Sequence, residues 1–364
     1  MDILIFDMDG VLLEARGYHR ALQETVRLAG EHLGLDDILL TQGQINKFES
    51  LGISSEWHSS ALCTAFLKIQ LLSGTDSPSL DLQELFAAIQ DQPLRLPAGK
   101  RGLAAIKRIC EQRGVDADSI QTLITESENI DLSLTMNWFQ ELILGSEAYQ
   151  ARYQKPVQFN TLSYLDLYDI PLLSRENADR ISSWSGASGR GAAIMTNRPS
   201  SGPTGFSGSP EAEMGLELVQ LTGSPLIGYG DISWLAESIQ SEPGTLNKPH
   251  YTHALAAIFA SIGITKEESL TSSTKEFSEW DHHILDTLQG KSIAVFEDTP
   301  AGLESVRSAD EILRKAGIIV RIKTIGIAAE ETKKAALEPR AAQVFPDINS
   351  ALSSLDGFRP YSRN

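Results

Sequence analysis

The sequence contains few cysteines and no long apolar run. The two cysteines, Cys63 and Cys110, are too few for a disulfide framework, and their spacing does not match a zinc site. No uninterrupted apolar stretch reaches the roughly 18 residues that a membrane-spanning helix needs. The N-terminus lacks the basic segment that opens a secretory signal peptide, and Asp2 and Asp7 interrupt its apolar stretch. We therefore expect a soluble, cytoplasmic protein, with Cys110 as a core residue.

Basic residues are also scarce, because 31 lysines and arginines stand against 48 aspartates and glutamates, a formal net charge of -17. A chain with this charge repels polyanions, so we expect neither nucleic acid nor an anionic membrane as a partner. The oligomeric state is left open by the sequence. The 364 residues exceed the usual length of one domain, and the 41% hydrophobic content is sufficient for buried cores. Two domains are therefore predicted.

The apolar pattern predicts an α/β fold. The chain opens with the short run Ile3–Phe6 followed by Asp-Met-Asp-Gly, which is typical of a buried strand in a parallel sheet. Helix-like stretches separate the further strand candidates, which are 192–195, 226–229, 292–296, 318–325 and 343–345. This alternation predicts a Rossmann-like parallel sheet with helices on both faces.

A mainly helical insertion is predicted within this α/β core, because helical periodicity dominates from about residue 40 to 170. We place the core domain at 1–14 and 174–364, and the inserted helical domain at 15–173. In the insertion, Gly30 and Gly34 are predicted to break the first helix.

Two pairs of acids follow predicted strands. Asp7 and Asp9 follow the first strand, and Glu297 and Asp298 follow the strand at 292–296. In open α/β sheets, ligands bind outside the carboxyl ends of the strands. Carboxylates gathered there provide the oxygen ligands that Mg²⁺ requires. The alternative is that the first pair belongs to an ordinary turn and the second to a helix cap.

Other polar residues are weaker signals when each is considered alone. Thr196 and Asn197 end a strand, where a hydroxyl and backbone N–H groups can bind phosphate, although a threonine there is most often structural. Lys248 is significant only if the fold places it among the acids. The histidine pairs lack a third ligand at useful spacing, so we interpret them as solvated helix faces rather than metal sites; they are His250/His253 and His282/His283.

The ordered set of these motifs resembles the haloacid dehalogenase (HAD) superfamily of phosphotransferases. The segments that carry the resemblance are "ILIFDMDGVLL", "AAIMTNRPS", "NKPH" and "SIAVFEDTPAGLESV". Tyr18-His19 and the position of the insertion, between the first and second motifs, resemble the C1-cap subgroup, which includes β-phosphoglucomutase and sugar-phosphate phosphatases. The motif match covers about residues 1–14 and 174–350.

The resemblance implies a role for each motif residue. Asp7 would be the nucleophile that forms an aspartyl-phosphate, and Asp9 would be the general acid and base. Thr196, with the neighbouring backbone at Asn197, would hold the phosphoryl group, and Lys248 would stabilise its charge. Mg²⁺ would be held by three acidic residues, with a fourth as a direct or indirect ligand; these are Asp7, Asp9 through its carbonyl, Asp298 and then Glu297.

The insertion offers candidate substrate residues. In C1 caps, the loop after the first helices usually reaches over the active site, and the stretch 47–57 occupies that place here. Gly52 would allow a sharp turn, Lys47 would meet an anionic substrate, and Trp57 would stack on a sugar ring; Glu56 lies beside it. The alternative is an interhelical turn with a packing tryptophan. His19 would orient Asp9, or else be structural.

We therefore expect a Mg²⁺-dependent phosphatase acting on a small phosphorylated metabolite, with sugar or polyol phosphates as the preferred class. Two alternatives remain open from the sequence: a phosphomutase that uses the same residues, and a HAD-like protein that binds a phosphorylated ligand without catalysis. The loop 199–209, rich in serine, glycine and proline, is interpreted as a surface insertion, with a mobile lid as the alternative.

Overall fold

The computed structural model describes residues 1–53, 55–93, 96, 98–355 and 358. The chain divides into two compact units, one formed by Met1–Ala15 with Asp169–Asn364 and the other by Arg16–Tyr168. We call them the α/β unit and the helical unit. The chain returns to the α/β unit at Asp169, a few residues before the boundary predicted at 174.

The α/β unit is built on a parallel sheet of six strands in the order β5-β4-β1-β6-β7-β8. These strands are β1 Ile3–Phe6, β4 Gly191–Met195, β5 Leu226–Ile227, β6 Ser292–Glu297, β7 Arg321–Ile327 and β8 Gln343–Phe345, and a separate antiparallel pair comprises β2 Leu13–Glu14 and β3 Ile170–Pro171. The helices are α10 Arg175–Ser185, α11 Glu211–Leu218, α12 Tyr229–Ser238, α13 Pro243–Leu246, α14 Tyr251–Ser261, α15 Lys266–Ser272, α16 His282–Leu288, α17 Pro300–Lys315, α18 Glu331–Leu337 and α19 Ile348–Ser353, with a 3₁₀ turn at Phe277–Glu279.

Alternate residues of the central strands enter two separate cores. Ile3 and Ile5 of β1 pack in a cluster with α14 and α17, whereas Leu4 and Phe6 pack in a cluster with α10, α11 and α19. Side chains point to opposite faces along a strand, so both faces of this sheet are covered by helices. The ring of Phe6 stacks on that of Phe296 in the neighbouring strand, with centroids 4.9 Å apart. The predicted α/β class, with its parallel sheet and helices on both faces, is confirmed.

Two predicted strands are shorter at one end than the apolar run suggested. The run 226–229 forms a strand only at Leu226–Ile227, because Asp231 accepts a hydrogen bond from the backbone N–H of Gly228 at 2.7 Å and starts α12 there. The run 318–325 becomes regular only at Arg321, where the pairing of β7 with β6 begins. Apolar periodicity predicts burial rather than strand pairing, and in both runs buried residues lie outside the paired part of the strand.

The helical unit contains nine helices among its described residues. They are α1 Arg16–His32, α2 Gln42–Ser50, α3 Glu56–Leu72, α4 Gln83–Gln90, α5 Ala98–Arg113, α6 Asp118–Thr125, α7 Leu134–Leu144, α8 Ser146–Tyr153 and α9 Tyr164–Tyr168. The prediction that Gly30 breaks α1 is wrong, because a Cβ there would lie 2.6 Å from Ile38 Cγ1, so the glycine permits close packing within an intact helix. Cys110 is fully buried, as predicted. Within the described residues, none of the helices combines the length and apolar character that crossing a membrane requires.

The loop 199–209 of the α/β unit is anchored at its beginning. Ser200 is buried, and its hydroxyl donates to Asp231 Oδ2 at 2.9 Å. The backbone N–H of Ser201 donates to Glu213 Oε1 at 3.0 Å. A Cβ on Gly230 would lie 1.9 Å from the carbonyl oxygen of Ser200. Close backbone approach, together with the buried carboxylate of Asp231, therefore holds this part of the loop.

This close approach predicts that Gly230→Ala is strongly destabilising. The added methyl group would meet a backbone oxygen, which can move only with the loop, so we expect a loss of at least about 2 kcal/mol in the free energy of unfolding. The matched control is Gly244→Ala, because a Cβ on Gly244 has no neighbour within 4 Å. That variant should be neutral or gain a few tenths of a kcal/mol in urea unfolding. Equal stability of the two variants would contradict the packing described.

Candidate active site

The sheet register brings the ends of three strands together. β1 lies between β4 and β6, and Phe6 pairs with Ile194 on one side and Phe296 on the other. Asp7, Thr196 and Glu297 therefore lie at the carboxyl edge of adjacent strands. At Gly10 the chain turns with φ +78°, and a Cβ there would lie 1.9 Å from Asp298 Oδ2. Only glycine satisfies both the backbone angle and the space at this position.

Three of the predicted acids form a buried cluster. Asp7, Glu297 and Asp298 each place a carboxylate oxygen within 4.8 Å of the others. Their exposed fractions are 6%, 0% and 7%. Burial raises the pKa of Asp7 well above its usual value, and the charge of Glu297 raises it further, against the effect of Lys248. The three acids therefore carry more negative charge than Lys248 offsets.

Lys248 is brought into this cluster from a distant segment. Its Nζ donates to Asp7 Oδ1 at 2.6 Å and also to Glu297 Oε1. Burial alone disfavours the ammonium form, but the charges of Asp7 and Glu297 outweigh burial and raise the pKa of Lys248 above its usual value. The lysine is therefore a fixed positive charge beside the Asp7 carboxylate.

Glu297 is more fully hydrogen-bonded than the other two acids. Its Oε2 accepts from the backbone N–H groups of Asp298 and Thr299, both at 3.0 Å, and from the Thr299 hydroxyl at 2.9 Å. Its Oε1 accepts from Lys248. Both oxygens already serve these donors, so Glu297 is suited to hold Lys248 and the start of α17 in place. Asp7 and Asp298 are better placed to bind an added cation.

Asp298 has a lysine partner that the sequence analysis did not single out. Lys333 of α18 donates to Asp298 Oδ2, and its side chain is 41% exposed. Burial raises the pKa of Asp298 to about 6, and Lys333 opposes this effect. Because three hard carboxylates lie close together and carry uncompensated charge, the donor set fits a divalent cation such as Mg²⁺.

Asp9 is held by an arginine. Arg198 Nη2 donates to Asp9 Oδ1 at 2.7 Å, and Arg198 Nε donates to the same oxygen at 3.0 Å. The guanidinium also donates to Asp169 Oδ2 at 2.7 Å, and both Arg198 and Asp169 are buried. Asp169 is the first residue after the chain returns to the α/β unit. Sequence reasoning missed both residues, since an arginine two positions after Thr196 has no distinctive spacing.

The two phosphate-binding candidates differ in their surroundings. Thr196 is buried directly after β4, and its Oγ1 accepts a hydrogen bond from the backbone N–H of Arg198 at 3.1 Å. Asn197 is exposed. The hydroxyl hydrogen of Thr196 stays available for an incoming oxyanion, because a hydroxyl that accepts one bond can still donate.

The interpretation of the histidine pairs as solvated helix faces is wrong for His253. This residue is fully buried, with Nε2 2.9 Å from the carbonyl oxygen of Ile227 and Nδ1 3.0 Å from Asn247 Oδ1. Burial lowers its pKa to about 3, with the charge of Lys248 adding to the effect, so the ring is neutral. His253 connects the segment that carries Lys248 to the end of β5. Helical spacing alone could not distinguish this role from a solvated one. His282 and His283 are exposed.

The helical unit contains the four predicted substrate residues. In α1, His19 Nε2 lies 3.1 Å from Glu49 Oε1, and this contact raises the pKa of His19. Lys47 lies in the last turn of α2, and Glu56 and Trp57 open α3. The connection between these helices is therefore shorter than the predicted loop 47–57. Gly52 has φ +74°, as a sharp turn requires, and Ser54 lies outside the described residues. Contact of these residues with a substrate stays a prediction.

Comparison with known proteins supports the fold. A structural genomics target solved by X-ray crystallography is 17% identical and superposes with a TM-score of 0.63, covering 96% of this chain and 97% of that one. The phosphatase Tt82 from Thermococcus thioreducens is 14% identical, with a TM-score of 0.48 over 92% of this chain and 99% of that one. A HAD phosphatase from Thermococcus onnurineus is 12% identical, with a TM-score of 0.39 over 99% and 100% of the two chains.

No protein-family model matches this chain. No curated protein sequence matches it either.

The raised pKa of Asp298 predicts a specific dependence of stability on pH. Its folded value of about 6 lies above the unfolded value of 3.8, so protonated Asp298 stabilises the fold at low pH, and this stabilisation is lost as the pH rises through about 6. Asp298→Asn cannot ionise. Without divalent cations, it should therefore lose less stability than the wild type between about pH 4 and 7, by at most about 3 kcal/mol.

Urea unfolding in a chelating buffer across this range measures the effect. Asp286→Asn, at an exposed position of α16, is the matched control and should follow the wild type. Parallel pH profiles for wild type and Asp298→Asn would show that Asp298 does not titrate in this window.

Proposed function

We propose that this chain is a Mg²⁺-dependent phosphatase of the HAD type, acting on a small phosphorylated metabolite through an aspartyl-phosphate on Asp7. The observation that carries the proposal is the cluster of Asp7, Glu297 and Asp298 with Lys248 Nζ 2.6 Å from Asp7 Oδ1. Phosphoryl transfer depends mainly on positioning and charge neutralisation, and this arrangement offers a nucleophile, a fixed cation and a cation site together.

The residues that would hold Mg²⁺ are Asp7, Asp298 and the backbone carbonyl of Asp9, with Glu297 acting indirectly through Lys248. Oxygen donors at the ends of adjacent strands suit this ion. When bound, Mg²⁺ supplies positive charge to the phosphoryl oxygens. It would also offset the excess negative charge of the buried acids, which lowers the pKa of Asp7 and favours its nucleophilic, ionised form.

Asp7 attacks phosphorus with a carboxylate oxygen, and the bond between phosphorus and the ester oxygen breaks. Lys248 lowers the energy of the negative charge that Asp7 and the phosphoryl oxygens share in the transition state. The Thr196 hydroxyl donates to one of those oxygens. The side chains of Asp7, Thr196 and Lys248 are buried, so these interactions are stronger than they would be in water.

Asp9 transfers the protons. In its protonated form it gives a proton to the leaving ester oxygen, and the resulting carboxylate then accepts a proton from the water that attacks phosphorus. That attack breaks the bond between phosphorus and Asp7, so inorganic phosphate is released and Asp7 is regenerated. Arg198 fixes the Asp9 carboxylate through two donor nitrogens, so Asp9 is positioned by a buried group rather than by solvent.

Sugar and polyol phosphates are the substrate class to test first, given the motif resemblance to sugar-phosphate phosphatases. The measurement is phosphate release across a panel of sugar, polyol, nucleotide and amino-acid phosphates with Mg²⁺. Isomer formation without phosphate release would identify a phosphomutase instead. Binding of a phosphate ester without any turnover would identify a non-catalytic protein.

Asp7→Asn should reduce kcat by at least about a thousandfold, because the amide cannot act as the nucleophile. The substitution keeps the size of the side chain, so the circular dichroism spectrum should not change. Removing Mg²⁺ with a chelator should abolish wild-type turnover, and adding Mg²⁺ should restore it. Asp286→Asn is the matched control and should keep wild-type kcat; substantial turnover by Asp7→Asn would refute the assigned nucleophile.

Arg198→Met should slow the reaction in a way that depends on the leaving group. An alkyl phosphate needs a proton on its leaving oxygen, whereas 4-nitrophenyl phosphate releases a stable anion. If Arg198 positions Asp9, kcat for the alkyl ester should fall about tenfold or more relative to kcat for the aryl ester.

The control for this variant is Arg307→Met, because Arg307 is 67% exposed and pairs with Glu304 on α17. It should leave kcat unchanged for both the alkyl and the aryl ester. An equal loss on both substrates in Arg198→Met would mean that the arginine supports the fold and not the proton transfer.

A further inference from the structure

The amino-terminal end of α3, in the helical unit, contains buried polar atoms that have no partner. Ser55 is the N-cap residue and has extended backbone angles, but its side chain makes no capping hydrogen bond. Ser55 Oγ and Trp57 Nε1 are both buried without a hydrogen-bond partner among the described residues. A 17-residue helix therefore begins without the side-chain cap that usually satisfies one of its first N–H groups.

A buried arginine lies beside this helix start. Arg101 of α5 is only 6% exposed, and its buried Nε makes no hydrogen bond with any residue that the structure describes. In the part of the chain that the structure describes, no ion pair or hydrogen bond satisfies its guanidinium. Arginine stays charged in proteins, and a buried charge without a counter-charge is costly. The fold therefore tolerates the energetic cost of burying the Arg101 charge.

Packing directs Arg101 to the turn that precedes α3. Its Nη2 lies 2.9 Å from the place that a Cβ of Gly52 would occupy. Gly99 and Gly102, on either side of Arg101, face α3 itself. A Cβ on Gly99 would lie 2.9 Å from His58 Nε2, and a Cβ on Gly102 would lie 3.1 Å from Leu62 Cδ1. The first turns of α5 and α3 thus run side by side, with the guanidinium at their shared end.

We propose that this end of the helical unit binds an oxyanion, a phosphate or carboxylate group. Arg101 would supply the counter-charge, and the Ser55 hydroxyl, the Trp57 indole N–H and the first N–H groups of α3 would supply hydrogen bonds. Uncapped N–H groups at a helix start favour anions through both hydrogen bonding and the helix dipole. Glu56 is the acid in this turn, and its negative charge contributes to the raised pKa of His19. This inference goes beyond the proposed phosphatase activity and does not depend on it.

Thermal unfolding with and without inorganic phosphate tests the proposal. Arg101→Met should melt at or above the wild-type temperature without phosphate, because it removes a buried charge that has no partner among the described residues. It should also lose part of the phosphate-dependent increase in melting temperature. Arg101→Lys should retain some of that part. Arg108→Met is the control on the same helix, because Arg108 is 45% exposed and pairs with Asp91 at 2.7 Å.

The part of the phosphate-dependent increase in melting temperature that disappears in Arg101→Met but persists in Arg108→Met belongs to this site. Any increase in melting temperature that all variants share arises from phosphate bound elsewhere. A full wild-type response in Arg101→Met would overturn the proposal. If Arg101→Met does not fold, Ser55→Ala decides the matter. Its side chain makes no cap, so it should fold normally and weaken phosphate binding a few-fold in calorimetry; unchanged affinity would overturn the proposal.

Absence of turnover in the wild type would refute the proposed phosphatase activity while leaving the thermal test of this site intact.

Discussion

The contact between Lys248 and Asp7 joins two residues that are 241 positions apart in the chain, and the geometry of the candidate site depends on it. Without the lysine, three buried carboxylates would face one another at the ends of adjacent strands, and burial together with mutual repulsion would oppose the fold. Glu297 takes part on the other side, since it accepts from Lys248 with one oxygen and from the start of α17 with the other. A strand end, a distant lysine and a helix start are therefore held by one charge network.

The position of Lys248 depends in turn on a neutral histidine. His253 Nε2–H donates to the carbonyl oxygen of Ile227 at the end of β5, and His253 Nδ1 lies beside the side-chain amide of Asn247, the residue before the lysine. A charged imidazole could not be buried next to Lys248 without a large cost, so its low pKa is consistent with a positioning role. Arg198 performs a similar task for Asp9, with Asp169 as its second carboxylate partner. In the α/β unit, Lys248 and Arg198 each have carboxylate partners, whereas Arg101 of the helical unit has none among the described residues, and this contrast is the reason to assign a ligand there.

Much of the fold could be predicted because it depends on local pattern. β1 and β6 appear where short apolar runs stop at acids, and alternate residues of β1 enter opposite cores as side-chain alternation requires. The errors arose where a competing interaction was decisive. Asp231 starts α12 inside a predicted strand. Helix α1 continues past Gly30, where the missing side chain leaves room for Ile38. Neither interaction has a signature in apolar periodicity, since each depends on a partner that the pattern does not identify.

The sequence by itself determined which residues stand at strand ends, because polarity changes sharply after Phe6, Met195 and Phe296. It also determined that the protein would have an α/β core with a helical insertion. Only the tertiary structure decided which charges meet: Lys248 with Asp7, Lys333 with Asp298, and Arg198 with Asp9. The physical reason is that a strand is specified by neighbouring residues, whereas an ion pair is specified by distance in space, and chain folding brings together groups whose spacing in sequence carries no information.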